Sequence, residues 1–284
     1  MSNTTTNEIN TYRKLINERI DSGNIRLPIL PKVAGKVITL TNNSSIDFKE
    51  LSSLIQQDQI LAGHVLKIAN SPTYIGTTQV TTLQQAATRL GSKILAEITL
   101  SVSLKSDLFI VTGYEKLIDE LWNHSLATSL YGNEIAKIKN ISSDIIFIVG
   151  LLHSVGMPMV LQLIAEFSSR YKIAQNNDIT KRLIAEFSPV FTKIILKKWD
   201  LPEIIQFSIN HYNSYKTTKK YQNECALAYL ANILSVWMYD EKSFHASKLM
   251  NDPVLKLLEL DSSDMDELLE KKEFIVDNIN SMSF

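Results

Sequence analysis

A chain of 284 residues with 45% hydrophobic and 21% charged side chains can bury a sizeable core, which excludes a disordered segment. Lys and Arg number 29 against 30 Asp and Glu, a formal net charge of −1 that speaks against a strongly basic nucleic-acid binder. A lone cysteine, Cys225, excludes an internal disulfide, and the longest apolar run, the eight residues from Ile145 to Leu152, is too short to cross a bilayer.

The polar start, Met1-Ser-Asn-Thr-Thr-Thr-Asn7, lacks the basic and apolar parts of a signal peptide, and the expected location is the cytoplasm. With 9 Gly and 7 Pro the chain is poor in tight-turn residues, and apolar positions recur at helical spacing, so the fold class expected is all-α. The first ten residues are expected to be mobile. A helix from Ile9 to Asp21 closes at Gly23. Leu27-Pro-Ile-Leu-Pro31 is extended, because a residue preceding proline avoids helical geometry. Lys32 to Thr41 follows as a helix. Asp47 and Glu50 have the spacing of a capping box before Leu51, Leu54 and Ile55. Asp58 opens a helix whose apolar face is Leu61, Val65, Ile68 and Ala69, and Asn70-Ser71-Pro72 ends it. Thr82, with Gln85 three residues on, caps a helix that ends at Gly91, and Ser92 begins an apolar one.

In the second half the predicted helices are Tyr114 to Lys139, Asp144 to Leu152, Met157 to Gln175, Pro189 to Trp199, Pro202 to Tyr212 and Glu224 to Tyr239. Asn213 to Lys220 is predicted as a loop. Amphipathic stretches at Val254 to Leu260 and Met265 to Ile279 complete the chain. Leu163 to Ser168 recurs as Leu183 to Ser188, an echo too short for a repeat architecture.

Several segments together resemble the HDOD domain, a regulatory relative of the HD-type metal-dependent phosphohydrolases found in bacterial signalling proteins. They are Leu27-Pro-Ile-Leu-Pro31, Asp58, Leu66-Lys-Ile-Ala-Asn-Ser71, Thr82-Leu-Gln-Gln-Ala86 and Leu90-Gly91 in the first half. Trp122-Asn-His-Ser125, Gly150-Leu-Leu-His153, Trp199-Asp-Leu-Pro202 and His211 supply the second. The ordered set, spanning about residues 20 to 240, is specific where any one segment is weak. The organisation expected is an N-terminal tail and helix (1–21), an N-terminal helical part (22–112), an HD-like part (113–240) and C-terminal helices packed on the core (241–284).

The resemblance implies where the parent enzyme's metal ligands fall. His124 matches the first His and His153 the second, but Ser154 replaces the paired Asp. Asn232, in Ala231-Asn-Ile233, replaces the distant Asp, and Ser188 falls where many relatives have an additional His. A hydroxyl and an amide are poor substitutes for two anionic oxygens, so no metal and no cofactor are expected beyond a weakly held divalent cation on His124 and His153. No catalytic residue is assigned. His124, His153, Ser154, Asn232 and His211 are the candidate lining of a ligand pocket. The implied function is a non-catalytic signal-transduction module that binds a signalling protein or a small ligand, with homo-oligomerisation as a further option. The alternative is a residual phosphohydrolase acting on a nucleotide or phosphodiester, with Glu134 or Asp144 replacing the lost carboxylates.

Plainer readings stand beside these. His153 and His124 fit hydrogen-bonded core histidines, and His211 fits a helix-end histidine bonded to terminal carbonyls. His64 and His245 lie outside the pattern, and Cys225 fits a packed apolar position. Leu83 to Leu100, broken at Gly91-Ser92, has helix-turn-helix spacing. Its second helix sets Glu97 and Asp107 against Lys93 and Lys105 and is otherwise largely apolar, so DNA binding is not expected.

Overall fold

The computed structural model describes residues 3–42, 46–74, 76, 78–141, 145–173, 176–240 and 249–282, and among these residues every regular element is helical. The predicted fold class is the observed one.

α1 (Asn3–Asp21) begins earlier than expected, so residues 3–10 are helical. Ile9, Tyr12 and Ile16 recur on one face and are buried, which seats the helix on α8 (Met157–Tyr171) and α9 (Asn177–Lys198). Arg13 joins Glu186 at 2.8 Å, and Arg19 joins Glu166, so charged pairs line the edge of this contact. The Leu27–Pro31 crossing is extended, and the Trp199 indole N–H donates to the Pro28 carbonyl at 3.0 Å.

α2 (Lys32–Asn42), α3 (Phe48–Gln56), α4 (Gln59–Ala69) and the first part of α5 (Leu83–Leu108) make the N-terminal bundle. Polar caps set their starts. Asp47 accepts from the Lys49 amide at 2.8 Å, whereas the predicted return bond from Glu50 is absent among the described residues. Asp58 accepts from the amides of Ile60 and Leu61, at 2.9 and 3.0 Å. Thr82 and Gln85 close the full box, with both arms at 3.2 Å. Within α5, Gly91 takes φ +79°, a conformation that glycine adopts without a Cβ penalty, and the helix breaks there as predicted.

α6 (Glu115–Ile138) is the axis of the second half and packs on α7 (Ile146–Leu152), α11 (Gln222–Tyr239) and α14 (Lys272–Met282). Between α9 and α11 lie α10 (Glu203–His211) and a short 3-10 turn, Tyr212–Ser214. α12 (Pro253–Leu257) packs on α11, and α13 (Ser262–Glu270) on α6. The predicted single stretch from Met265 to Ile279 is therefore two helices. The predicted start at Pro189 is also corrected: α9 runs unbroken from its cap Asn176, with Pro189 inside it. Proline there removes one amide donor, a local cost offset by burying Leu183, Phe187, Phe191 and Ile195 on one continuous face.

Composition alone makes the 26 residues Ile146–Tyr171 apolar enough to cross a membrane, but 83% of the apolar window lies inside the fold. Core packing accounts for that apolarity.

Candidate functional site

The predicted pocket residues are brought together by a close approach of two helices. A Cβ on Gly150 would lie 2.6 Å from the Ser129 backbone, so only glycine lets α7 rest directly on α6. At that separation, His153 and Ser154, one turn beyond Gly150, arrive beside His124 and Ser125. The two imidazole rings stand edge to face with centroids 5.3 Å apart, and Tyr212 closes the far side of His153 at 5.9 Å.

Each polar group here has a partner that decides its chemistry. His153 Nδ1 lies 2.6 Å from the Gly150 carbonyl. A carbonyl only accepts, so Nδ1 carries the proton and Nε2 the lone pair. His124 Nε2 is 3.0 Å from Asn232 Oδ1, and its Nδ1 is 2.9 Å from Ser235 Oγ. With the amide oxygen toward the ring, Nε2 donates and Nδ1 accepts from the hydroxyl. With the amide turned over, the roles exchange, and the Ser235 hydroxyl donates instead to the His124 carbonyl at 3.1 Å. Both ring nitrogens are occupied either way. Ser154 Oγ is hydrogen-bonded to Ser125 Oγ, which also donates to the Leu121 carbonyl at 3.0 Å.

Burial governs the electrostatics. It pushes His153 down to about 3, reinforced by the neighbouring His124 and opposed by the Gly150 carbonyl. Burial also lowers His124, against the upward pull of Asn232. Two neutral imidazoles, an amide and three serine hydroxyls make an uncharged interior. As a donor set this does not fit a divalent hydrolytic metal, which takes anionic oxygens together with free imidazole lone pairs. Among the described residues no group of three or more His, Cys, Asp or Glu side chains is placed to hold a metal.

Of the two replacement carboxylates, Glu134 does not reach the histidines. Glu134 lies ten residues along α6 from His124, about 15 Å by helical rise, and pairs with Lys137 at 2.5 Å and Lys271 at 3.5 Å. Asp144 and His245 lie outside the described residues. Ser188 is buried on α9, where its carbonyl lies against Gly156. His211 stacks on Phe207 at 4.1 Å and engages the Phe207 carbonyl at 2.9 Å, the bonding expected of a helix-end histidine. The structure thus brings together His124, His153, Ser154 and Asn232 and gives His211 other neighbours. Sequence reasoning missed Ser125, Ser235 and Tyr212. Ser235 lies three residues beyond Asn232 on one helical face, and that spacing was the available signal.

The remaining candidates are structural. Burial pushes the Cys225 thiol up to about 11, away from nucleophilic reactivity. In the helix-turn-helix candidate, Glu97 accepts from Asn133 at 2.9 Å and Lys105 pairs with Asp119 at 3.6 Å, so both are tied to α6.

Fold and pocket together define an all-α protein whose second half is an HD-like bundle with paired histidines and no paired carboxylate. The HDOD domain family model matches residues 27–215, and the chain belongs to that family. An HDOD domain protein of unknown function from Geobacter sulfurreducens is similar in structure, with TM-score 0.72 and 20% identity, covering 96% of this chain and 98% of that one. A protein of Shewanella amazonensis SB2B, provisionally described as a metal-dependent phosphohydrolase, matches at TM-score 0.71 and 19% identity over 98% of this chain and 100% of its own. An uncharacterized protein of Treponema pallidum (strain Nichols) is 23% identical over 229 residues, 77% of this chain and 43% of that protein. The chain therefore spans less than half the length of this curated relative.

Proposed function

We propose that the protein is a non-catalytic signal-transduction module that works by binding a protein partner or a small ligand. The observation that carries this reading is the occupation of both His124 ring nitrogens by Asn232 and Ser235, uncharged side chains standing at a remnant metal site. A hydrolytic centre needs a cation to lower the pKa of water, and this pocket offers that cation no negative charge. The family's link to HD-type phosphohydrolases then reflects a shared scaffold, with regulation carried by helix packing.

Elemental mass spectrometry tests the reading, on protein purified without chelator or histidine tag. The wild type should carry no stoichiometric Fe, Mn or Zn, while the double variant Ser154→Asp, Asn232→Asp should gain about one equivalent because it restores both carboxylates. About one equivalent of metal in the wild type, lost in His153→Ala, would overturn the proposal in favour of a residual phosphohydrolase. A screen of nucleotides and phosphodiesters would then follow.

A further inference from the structure

A cleft of about 1040 Å³ opens between α4 and α14, remote in sequence from the histidines. One wall is a single face of α4, where Gly63, Leu66, Lys67 and Asn70 follow at i, i+3, i+4 and i+7. The opposite wall is a single face of α14, with Asp277, Asn280 and Ser281. The family match ends at residue 215, so the second wall is built from chain beyond the matched domain.

The cleft is built and held open by specific bonds. The Asn70 side chain imitates a strand backbone toward Val80, donating to its carbonyl at 2.7 Å and accepting from its amide at 2.8 Å. That pairing ties the end of α4 to Val80, which also lines the cleft. Tyr74 donates to Asn278 at 2.5 Å and Thr73 bonds Ser281 at 2.9 Å, which staple α14 to the 3-10 turn Pro72–Tyr74 that follows α4. Lys67 and Asp277 face the same space from opposite walls, and neither is joined to an ion-pair partner among the described residues. The Ser71 hydroxyl, also on the lining, is buried without a hydrogen-bond partner. A Cβ on Gly63 would meet nothing within 4 Å, so the space beside it is open.

We infer that this cleft binds a short zwitterionic peptide. An unpaired cation and an unpaired anion on facing walls complement a ligand with charge of both signs at its ends. The hydroxyl of Ser71 and the amides of Gln79 and Asn280 complement peptide groups between those ends. The volume stands at the upper limit of small-ligand pockets, more than one free amino acid fills. A ligand seated there touches both α4 and α14, so its binding would tighten the docking of the C-terminal helix on the N-terminal bundle. The inference is independent of the histidine pocket.

Saturation-transfer NMR on the full chain tests it, with a pool of unblocked tripeptides and the same pool acetylated and amidated. Saturable transfer from the unblocked pool is expected, with affinity about tenfold weaker for the blocked pool. Gly63→Leu, which fills the cleft, and Lys67→Met, which removes its cation, should each weaken binding by about tenfold or more. Both positions are exposed on α4, and circular dichroism confirms that each variant folds. No transfer from the unblocked pool, equal affinity for both pools, or wild-type affinity in either variant overturns the proposal. None of these outcomes bears on metal content, so the histidine-pocket reading stands or falls separately.

Discussion

The N-terminal bundle and the HD-like half specify their helices by different means. In the first, α3, α4 and α5 each begin at a side chain that accepts from its own helix's amides: Asp47, Asp58 and Thr82. In the second, α9 begins at such a side chain, Asn176, but α6, α7, α8, α10 and α11 begin at Tyr114, Ile145, Gly156, Pro202 and Tyr221, and none of these five caps through its side chain. Position there comes from close contact between helices. Gly150 lies against Ser129, Gly156 against Ser188 and Thr192, and Gly132 against Ile146. Local chemistry sets most helix starts in the first half, and tertiary fit sets most in the second. The half built on tertiary fit is the one that carries the histidine pocket.

The largest effect that would break this comparison is expected at Gly156. A Cβ there would stand 2.3 Å from the Ser188 carbonyl and 2.6 Å from the Thr192 amide nitrogen, so α8 and α9 must separate to admit it. Gly156→Ala should cost about 3 kcal/mol, read as a lowered midpoint in urea with an unchanged slope. A midpoint within error of wild type would mean that these helices are not held at contact distance.

A smaller effect follows from the neutral histidines. His153 has a folded pKa of about 3 against an ordinary value of 6.5, so between those limits the unfolded chain binds a proton that the folded chain refuses. Stability is therefore lost as pH falls. From this residue alone the loss is about 2 kcal/mol between pH 6.5 and 5, above the range where most carboxylates titrate. His124, lowered in the same direction, adds to it. His153→Gln keeps a donor for the Gly150 carbonyl without titrating, and it should flatten the slope of stability against pH in that window. A wild-type slope that is already flat would show that the pocket admits water or a counter-charge.

The same division explains what the sequence made legible. Asp58, Thr82-x-x-Gln85 and Gly91 are local signals, and the elements they punctuate lie where those residues place them. Pro189 misled because a proline reads as a first-turn residue, and only the burial of α9 on α1 and α8 shows why the helix runs through it. The pocket was half legible. His124, His153, Ser154 and Asn232 followed from the family's order of motifs, and the structure brings them together. Ser125, Ser235 and Tyr212 are ordinary residues in sequence. They acquire a role only once the elements that carry them meet: Ser125 stands in the Trp122-Asn-His-Ser125 motif, but nothing in that pattern marks its bond to Ser154, and no local pattern marks Tyr212.

The cap side of the comparison predicts a more modest change. Asp58 satisfies two amides that begin α4, and Asp58→Ala should cost about 1 kcal/mol in thermal or chemical denaturation. A loss as large as that of Gly156→Ala would mean that the N-terminal bundle, too, depends on tertiary fit at its helix starts.

The smallest effect sharpens the contrast because it repeats one substitution in the other half. Gly63 sits inside α4, exposed, at a position where an added Cβ meets nothing within 4 Å. Gly63→Ala gains helix propensity and restricts the unfolded chain without displacing a neighbour, so it should stabilise by about 0.5–1 kcal/mol. Alanine at Gly156, the residue at which α8 begins, has no helix-interior gain to make and meets the backbone of α9 instead. Opposite signs for one chemical change would locate the difference in the packing and not in the residue. If both variants lost stability, Gly63 would be answering to a contact that the open face of α4 does not show, and the cleft beside it would be narrower in solution.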